Sequence, residues 1–161
     1  MNGSKDTAMK RKPIKRSQAI QPLSREHHHS LLLCWKIRTG IRKNIELDRI
    51  KKYANWFFEK HISPHFEIEE KYIYPVLGNE NELVKKALAE HRRLTRLFEN
   101  DEELEKSLSR IEEELEAHIR FEERILFNEV QNIASEEQLN KIARQHSETK
   151  FQENTEDEFW N

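Results

Sequence analysis

The sequence predicts an all-α protein, an up-down four-helix bundle with an additional C-terminal helix. Three observations lead there. Gly (3) and Pro (4) are scarce among the 161 residues, which favours long helices and few turns. Apolar residues recur at spacings of three and four through most of the chain, although 36% of residues are charged. The connections between periodic segments are short, as antiparallel neighbouring helices require. A chain of this length makes one domain with its own core.

Residues 1–21 carry Ser, Lys, Arg and Pro13 without sustained periodicity and are expected to form a mobile basic arm. The bundle is expected over residues 22–131, followed by a C-terminal helix and acidic tail over 135–161. The first helix begins near Leu23 and Ser24, with Ser24 as the capping side chain, and runs through Leu31, Leu32, Leu33, Trp35, Ile37 and Ile41 to about Lys43. The second starts near Ile45 and carries Ile50, Ala54, Phe57, His61, His65, Glu69 and Tyr72 down one side. Pro64 interrupts it and predicts a kink, or a restart capped by Ser63, while Pro75 and Gly78 end it. The third opens at Asn79 and turns Val84, Ala87, Leu88, His91, Leu94 and Phe98 inward. In the fourth, Leu104, Leu108, Ile111 and Leu115 form a regular stripe that continues into His118, Glu122 and Ile125. Ser135 and Gln138 predict a capping box that opens a fifth helix through Leu139, Ile142, Ala143 and His146. Phe159 and Trp160 give the tail an apolar end able to dock.

Charge and composition narrow the classes of function. A net charge of -2 supplies no field for nucleic acid, and the run from Lys10 to Arg16 reads as a solvated terminus. The single cysteine, Cys34, excludes an internal disulfide and suits a reducing compartment. Residues 1–20 lack the apolar stretch of a secretion signal, and no run approaches membrane-spanning length. A soluble, cytoplasmic protein with no membrane or nucleic-acid partner is therefore expected. No Gly-rich phosphate loop and no Ser-His-Asp arrangement points to nucleotide binding or hydrolysis.

The chemistry lies in the polar residues on the inward stripes. His65 and Glu69 are four residues apart, as are His118 and Glu122, so each pair projects from one face of its helix. A single such pair is more often a surface ion pair. Here four helices each offer a histidine at core-facing phase and two add a carboxylate one turn later. A carboxylate on a core stripe needs a charge partner, a proton or a metal. The candidate metal ligands are His28, His65, Glu69, His91, His118 and Glu122. Imidazole and carboxylate together suit iron, manganese or zinc, and six ligands exceed one tetrahedral zinc, so a two-metal centre with open positions is expected.

Several alternatives stay open at this level. His27 shares a face with Leu31 and Cys34 and competes with His28, which is followed by Leu31, Leu32 and Trp35. His61 can serve as a further ligand, a proton relay or a core polar contact. Glu70 and Glu123 face solvent or support the ligands from behind, and Glu123 can stand in for Glu122. His146 is expected on the surface. Trp35, Trp56, Phe57, Phe58, Phe66, Phe98 and Phe121 are assigned to the bundle core, where they would wall the centre from water.

Ser24-Arg25-Glu26-His27-His28, His65-Phe66-Glu67-Ile68-Glu69-Glu70, Glu90-His91-Arg92-Arg93 and His118-Ile119-Arg120-Phe121-Glu122-Glu123 together resemble the hemerythrin family, in its broader HHE cation-binding branch. The resemblance spans about residues 22–130. It implies a bundle of hemerythrin-like type holding two oxo- or hydroxo-bridged irons, with dioxygen or another small ligand as partner. His28, His65 and His118 match the histidine positions of the first, second and fourth helices, and Glu69 and Glu122 the bridging carboxylates. The chain departs from the oxygen carriers at Thr95, where a second third-helix histidine belongs. It also places Glu122 four residues after His118 rather than five. One iron with fewer protein ligands is therefore expected. Oxygen or iron sensing, and an oxidase or peroxidase-like activity, then stand beside simple oxygen binding; a helical interaction module with a structural metal is the remaining alternative.

Overall fold

Five helical rods make up the regular structure of residues 15–146 and 150–161, the residues described by the computed structural model, and no strand occurs among them. Most of the expected basic arm falls on residues 1–14, outside the described residues. The first rod, α1, spans Gln21–Arg42 and starts without a side-chain cap, its first turn set by Pro22. Ser24 lies inside the helix and donates to Glu123 at 2.8 Å instead of capping. The buried side of α1 carries Leu23, His27, Cys34 and Ile37.

The second rod, α2 (residues 47–77), is continuous through Pro64. Alpha-helical segments Leu47–Phe57, Ser63–Ile68 and Tyr74–Leu77 alternate with single π turns at Phe58–Ile62 and Glu69–Ile73. Ser63 keeps helical dihedrals (φ -58, ψ -46), and Ser63–Ile68 begins without a side-chain cap. The expected restart at Ser63 therefore does not occur. A proline ring clashes with the carbonyl four residues back and lacks a donor, and a widened turn relieves both problems. Pro64 and Pro75 each follow a π turn by two residues and are accommodated by it, although the π turn Glu122–Leu126 later in the chain forms without a proline. Gly78 ends the rod at φ 92, a left-handed conformation that glycine adopts without a Cβ penalty.

Helix α3 covers Glu82–Glu99, later than the expected start at Asn79, and Asn81 caps it by accepting from Leu83 and Val84. Helix α4 (residues 104–133) contains a third π turn at Glu122–Leu126. The extra residue in this turn moves the inward stripe by one. Ile125 is 47% exposed while Leu126 is fully buried, the reverse of what a uniform helical period predicts. Helix α5, Glu136–Ala143, opens with the expected capping box between Ser135 and Gln138.

Helix α1 packs against α2 and α4, and α3 against α4 and α2, so the four rods close a bundle, with α5 lying on the second π turn of α2, Glu69–Ile73. The apolar core has two parts. One gathers Leu33, Ile37, Ile50, Phe57, Leu108, Ile111 and Leu115; the other gathers Leu23, Tyr74, Val84, Leu126, Phe127, Val130 and Ile142. Along α1 and α4 the polar residues of interest lie between these two parts. The C-terminal segment returns to the first: Phe159 is 2% exposed and presses on Gly40, where a Cβ would come within 2.8 Å of both Phe159 and Ile50. Trp160 sits over the buried Lys36 ammonium at 4.0 Å, and Lys36 also contacts Tyr53 and Glu153. Trp35, expected in the core, is 45% exposed.

Candidate metal centre

Between the two apolar clusters, six buried polar side chains converge: His27, His65, Glu69, His91, His118 and Glu122. They form two groups, His27, His65, Glu69 and Glu122 on one side and Glu69, His91, His118 and Glu122 on the other, with the ligand-type atoms of each group within 4.8 Å of one another. Both carboxylates belong to both groups. Each group therefore holds two imidazoles of its own, one from each of two adjacent helices, and shares the pair Glu69 and Glu122.

Five of the six sequence candidates lie here, and His28 does not. Helix α1 turns His27 inward, 3% exposed, whereas His28 lies on the solvent face. The residues that favoured His28 point the wrong way: Leu32 is 40% and Trp35 45% exposed, so they mark the outer face of α1 rather than its buried stripe. A signal for His27 was present. The dipeptide Glu26-His27 repeats as Glu90-His91 on α3, with the histidine inward both times. His61 lies outside both groups, caged by Trp56, Phe57 and Phe151 at ring distances of 4.7–5.2 Å. His146 is not a surface residue, since both ring nitrogens are buried without a hydrogen-bond partner among the described residues. The two groups carry two imidazoles each, and none comes from the position of Thr95. Thr95 takes no part; its hydroxyl donates to the backbone carbonyl of His91 at 2.8 Å.

Every inward imidazole is held from behind. Its Nδ1–H donates to a carboxylate on another helix: His27 to Glu123 (2.7 Å), His65 to Glu26 (2.6 Å), His91 to Glu70 (2.7 Å) and His118 to Glu90 (2.7 Å). With Nδ1 occupied, Nε2 faces the shared carboxylates. His65 Nε2 is 3.0 Å from Glu69 and His118 Nε2 3.4 Å from Glu122. Aromatic faces fix two of the rings: Phe66 stacks on His91 at 3.7 Å and Phe127 on His27 at 5.3 Å.

Tyr74 is the site residue that the sequence pattern missed. Its hydroxyl donates to Glu122 at 2.5 Å and lies 2.9 Å from His91 Nε2 and 3.4 Å from Glu69. A uniform helical period places Tyr72 on this face. The π turn at Glu69–Ile73 brings the residue five positions after Glu69 above it, which is Tyr74. Pro75 alone does not signal that widened turn, since the equivalent turn at Glu122–Leu126 forms without a proline.

Electrostatics reflect this crowding. Burial alone lowers the pKa of His65 and His118, but Glu69 and Glu26 outweigh it for His65, which is raised to about 9. Glu122 and Glu90 do the same for His118, raised to about 10. His27 and His91 are also raised against the effect of burial, by Glu122 and Glu123 and by Glu69 and Glu70 respectively. Burial would raise Glu69, yet His65, His27 and His91 hold it well below the ordinary carboxylate range. Burial and the flanking carboxylates Glu69 and Glu122 push the Tyr74 phenol well above its usual value, so it remains a donor at neutral pH.

The residues fit metal ions. Glu69 Oε2 and His118 Nε2 are fully buried and make no well-directed hydrogen bond among the described residues, although His65 Nε2 lies 3.0 Å from the first and Glu122 Oε1 3.4 Å from the second, and an unsatisfied buried polar atom is costly. Cations placed between the imidazoles and the shared carboxylates would satisfy both atoms. Four imidazole nitrogens and two carboxylates form a donor set suited to first-row transition metals, with no thiolate among them.

An antiparallel helical bundle with a paired histidine and carboxylate centre in its core is the class defined by fold and site. The model of the hemerythrin HHE cation binding domain matches residues 18–130, most of the chain. The chain belongs to that family. No curated protein and no solved structure matches it. Among the described residues, no helix is long and apolar enough to cross a membrane.

Proposed function

We propose that this chain is a non-haem diiron protein that binds dioxygen or uses its centre to sense oxygen or iron. The observation that carries the reading is the sharing of Glu69 and Glu122 between two groups, since a carboxylate common to two sites is a bridging ligand for two ions. His27 and His65 would hold one iron and His91 and His118 the other. When bound, the iron pair supplies the electrons and open coordination positions for reaction with a small ligand. The residues of the chain determine how that chemistry is bounded. Phe66 and Phe127 fill the space beside the imidazoles and restrict water, while the Tyr74 hydroxyl provides a proton-bearing donor facing both shared carboxylates.

Metal analysis of the aerobically iron-loaded chain, with its ultraviolet-visible spectrum, tests the proposal. Two irons per chain and an oxo-bridge charge-transfer band are expected. Absence of both overturns it, and stoichiometric manganese or zinc in their place would reassign the metal. The buried Tyr74 donor favours a second reading, a diiron oxidase or peroxidase-like enzyme. That reading requires the reduced protein to consume oxygen or peroxide faster than free iron does, and a rate equal to free iron would remove it.

A further inference from the structure

The four supporting carboxylates form a closed ring around the bundle. Glu26 of α1 holds His65 of α2, Glu70 of α2 holds His91 of α3, Glu90 of α3 holds His118 of α4, and Glu123 of α4 holds His27 of α1. Each helix thus presents one imidazole to the centre and one carboxylate to its neighbour's imidazole, in the same sense all the way round. The sequence achieves this with adjacent residues: Glu26-His27 and Glu90-His91 on the odd helices, and Glu69-Glu70 and Glu122-Glu123 on the even ones.

We infer that Glu26, Glu70, Glu90 and Glu123 are positioning residues that make Nε2 the ligating nitrogen of all four imidazoles and bias the centre toward trivalent over divalent iron. The inference deepens the diiron reading and rests on it. Its first half follows from valence: an imidazole that donates from Nδ1 to a carboxylate has only its Nε2 lone pair to offer a metal. Its second half follows from charge. Glu69 and Glu122 supply two negative charges, and the ring places four further carboxylates each one imidazole away from the metal positions, of which Glu90 is also paired with Lys86 and Glu123 with Arg16. Glu26 and Glu70 pair with no lysine or arginine among the described residues, so their charge is offset only by the centre, and that excess of negative charge favours the higher oxidation state. A carboxylate behind an imidazole also makes the ring a stronger electron donor, which favours the more highly charged ion. The carboxylates are 27–45% exposed, so water screens each contribution and no single member sets the preference.

The experiment compares the full-length iron-loaded chain with Glu26→Gln, Glu70→Gln, Glu90→Gln and Glu123→Gln, and with Glu112→Gln as a control on the exposed Arg38 pair. Glutamine retains an acceptor for Nδ1–H and removes the charge. At saturating iron each ring variant should keep wild-type iron content, bind iron roughly 10–100-fold more weakly, and show a more positive midpoint potential; the control should match wild type. Unchanged potentials in all four ring variants overturn the charge bias. Loss of iron from a correctly folded glutamine variant also overturns the inference, because the carboxylate would then be a ligand. A wild-type chain without two irons sinks the diiron reading instead, and the ring is then judged on zinc. In the zinc-loaded wild-type chain, nitrogen NMR of the histidines should report Nε2 ligation at His27, His65, His91 and His118, with four strongly hydrogen-bonded Nδ1–H protons. Ligation through Nδ1 at any of these four overturns the assignment whether or not the variants fold.

Discussion

The half of the bundle formed by α1 and α2 and the half formed by α3 and α4 carry the same polar pattern and different surroundings. Each contributes a Glu-His dipeptide, then a histidine, then a Glu-Glu pair starting four residues later, and each places a π turn on that Glu-Glu pair. Five residues beyond the shared carboxylate, however, the first half has Tyr74 and the second has Phe127. Both rings lie against an imidazole of the adjoining helix, Tyr74 on His91 at 5.4 Å and Phe127 on His27 at 5.3 Å. One backbone device therefore delivers a hydrogen-bond donor to one metal position and an apolar wall to the other. The halves also differ outside the centre, because the C-terminal segment binds α1 and α2 through Lys36, Arg49 and Tyr53. Near-symmetry in the donor set therefore does not make the two positions chemically equal.

The largest expected effect breaks the symmetry at its shared members. Glu69→Gln and Glu122→Gln should each deplete metal from both positions, whereas His65→Ala and His118→Ala should each retain roughly half of the wild-type content. Metal per folded chain checks this, and a histidine variant that loses as much as a carboxylate variant would contradict independent halves. Next comes the brace on the first half. Phe159→Ala should cost about 3–5 kcal/mol of folding stability, and Gly40→Ala about 1–3 kcal/mol through the overpacked contact. Denaturant melts measure both, and neither folded variant should lose metal, since the tail joins the apolar cluster that excludes Tyr74 and Phe127.

Tyr74→Phe would erase the difference between the halves. It should cost roughly 1–3 kcal/mol in the metal-free chain by removing the donor to Glu122. In the iron-loaded chain it should alter the visible spectrum with metal content unchanged. A spectrum identical to wild type would show that the hydroxyl does not reach the metal positions.

The smallest contrast is in pH dependence. In the metal-free chain His65 is raised to about 9 and His118 to about 10. The stability each contributes is complete below the unfolded value of about 6.5 and is lost as pH rises through the folded value, first in the α1–α2 half. Glu69 is depressed, so its contribution is present above its unfolded value and is lost only in acid. Melting temperature against pH should therefore fall on the alkaline side. Metal uptake should behave in the opposite way, strengthening from pH 6 to pH 8 as imidazolium protons are displaced. Uptake independent of pH over that interval would contradict the protonated metal-free centre.

Much of this molecule was readable from residue spacing. The apolar stripe Leu104, Leu108, Ile111, Leu115 led directly to His118 and Glu122, because a regular helix repeats its face every three to four residues. The pattern stops being legible where that regularity is broken. A uniform period turns Ile125 and Tyr72 inward, but Leu126 and Tyr74 take those places, the first within and the second just beyond a π turn that advances the face by one residue. His28 shares its side of α1 with large apolar residues that face outward, which periodicity alone does not distinguish from a core stripe.

The sequence by itself determined the bundle, the family and five of the six converging side chains, since these depend on local period and on residue types that a core tolerates only in partnership. Only the tertiary structure decided that His27 completes the set, that both carboxylates are common to two groups, that Tyr74 enters the centre, and that four glutamates close a ring behind the imidazoles. The physical reason is the same in each case: which atoms meet across helices depends on the rotation of one rod against the next. The widened turns on α2 and α4 reset that rotation at the metal centre itself.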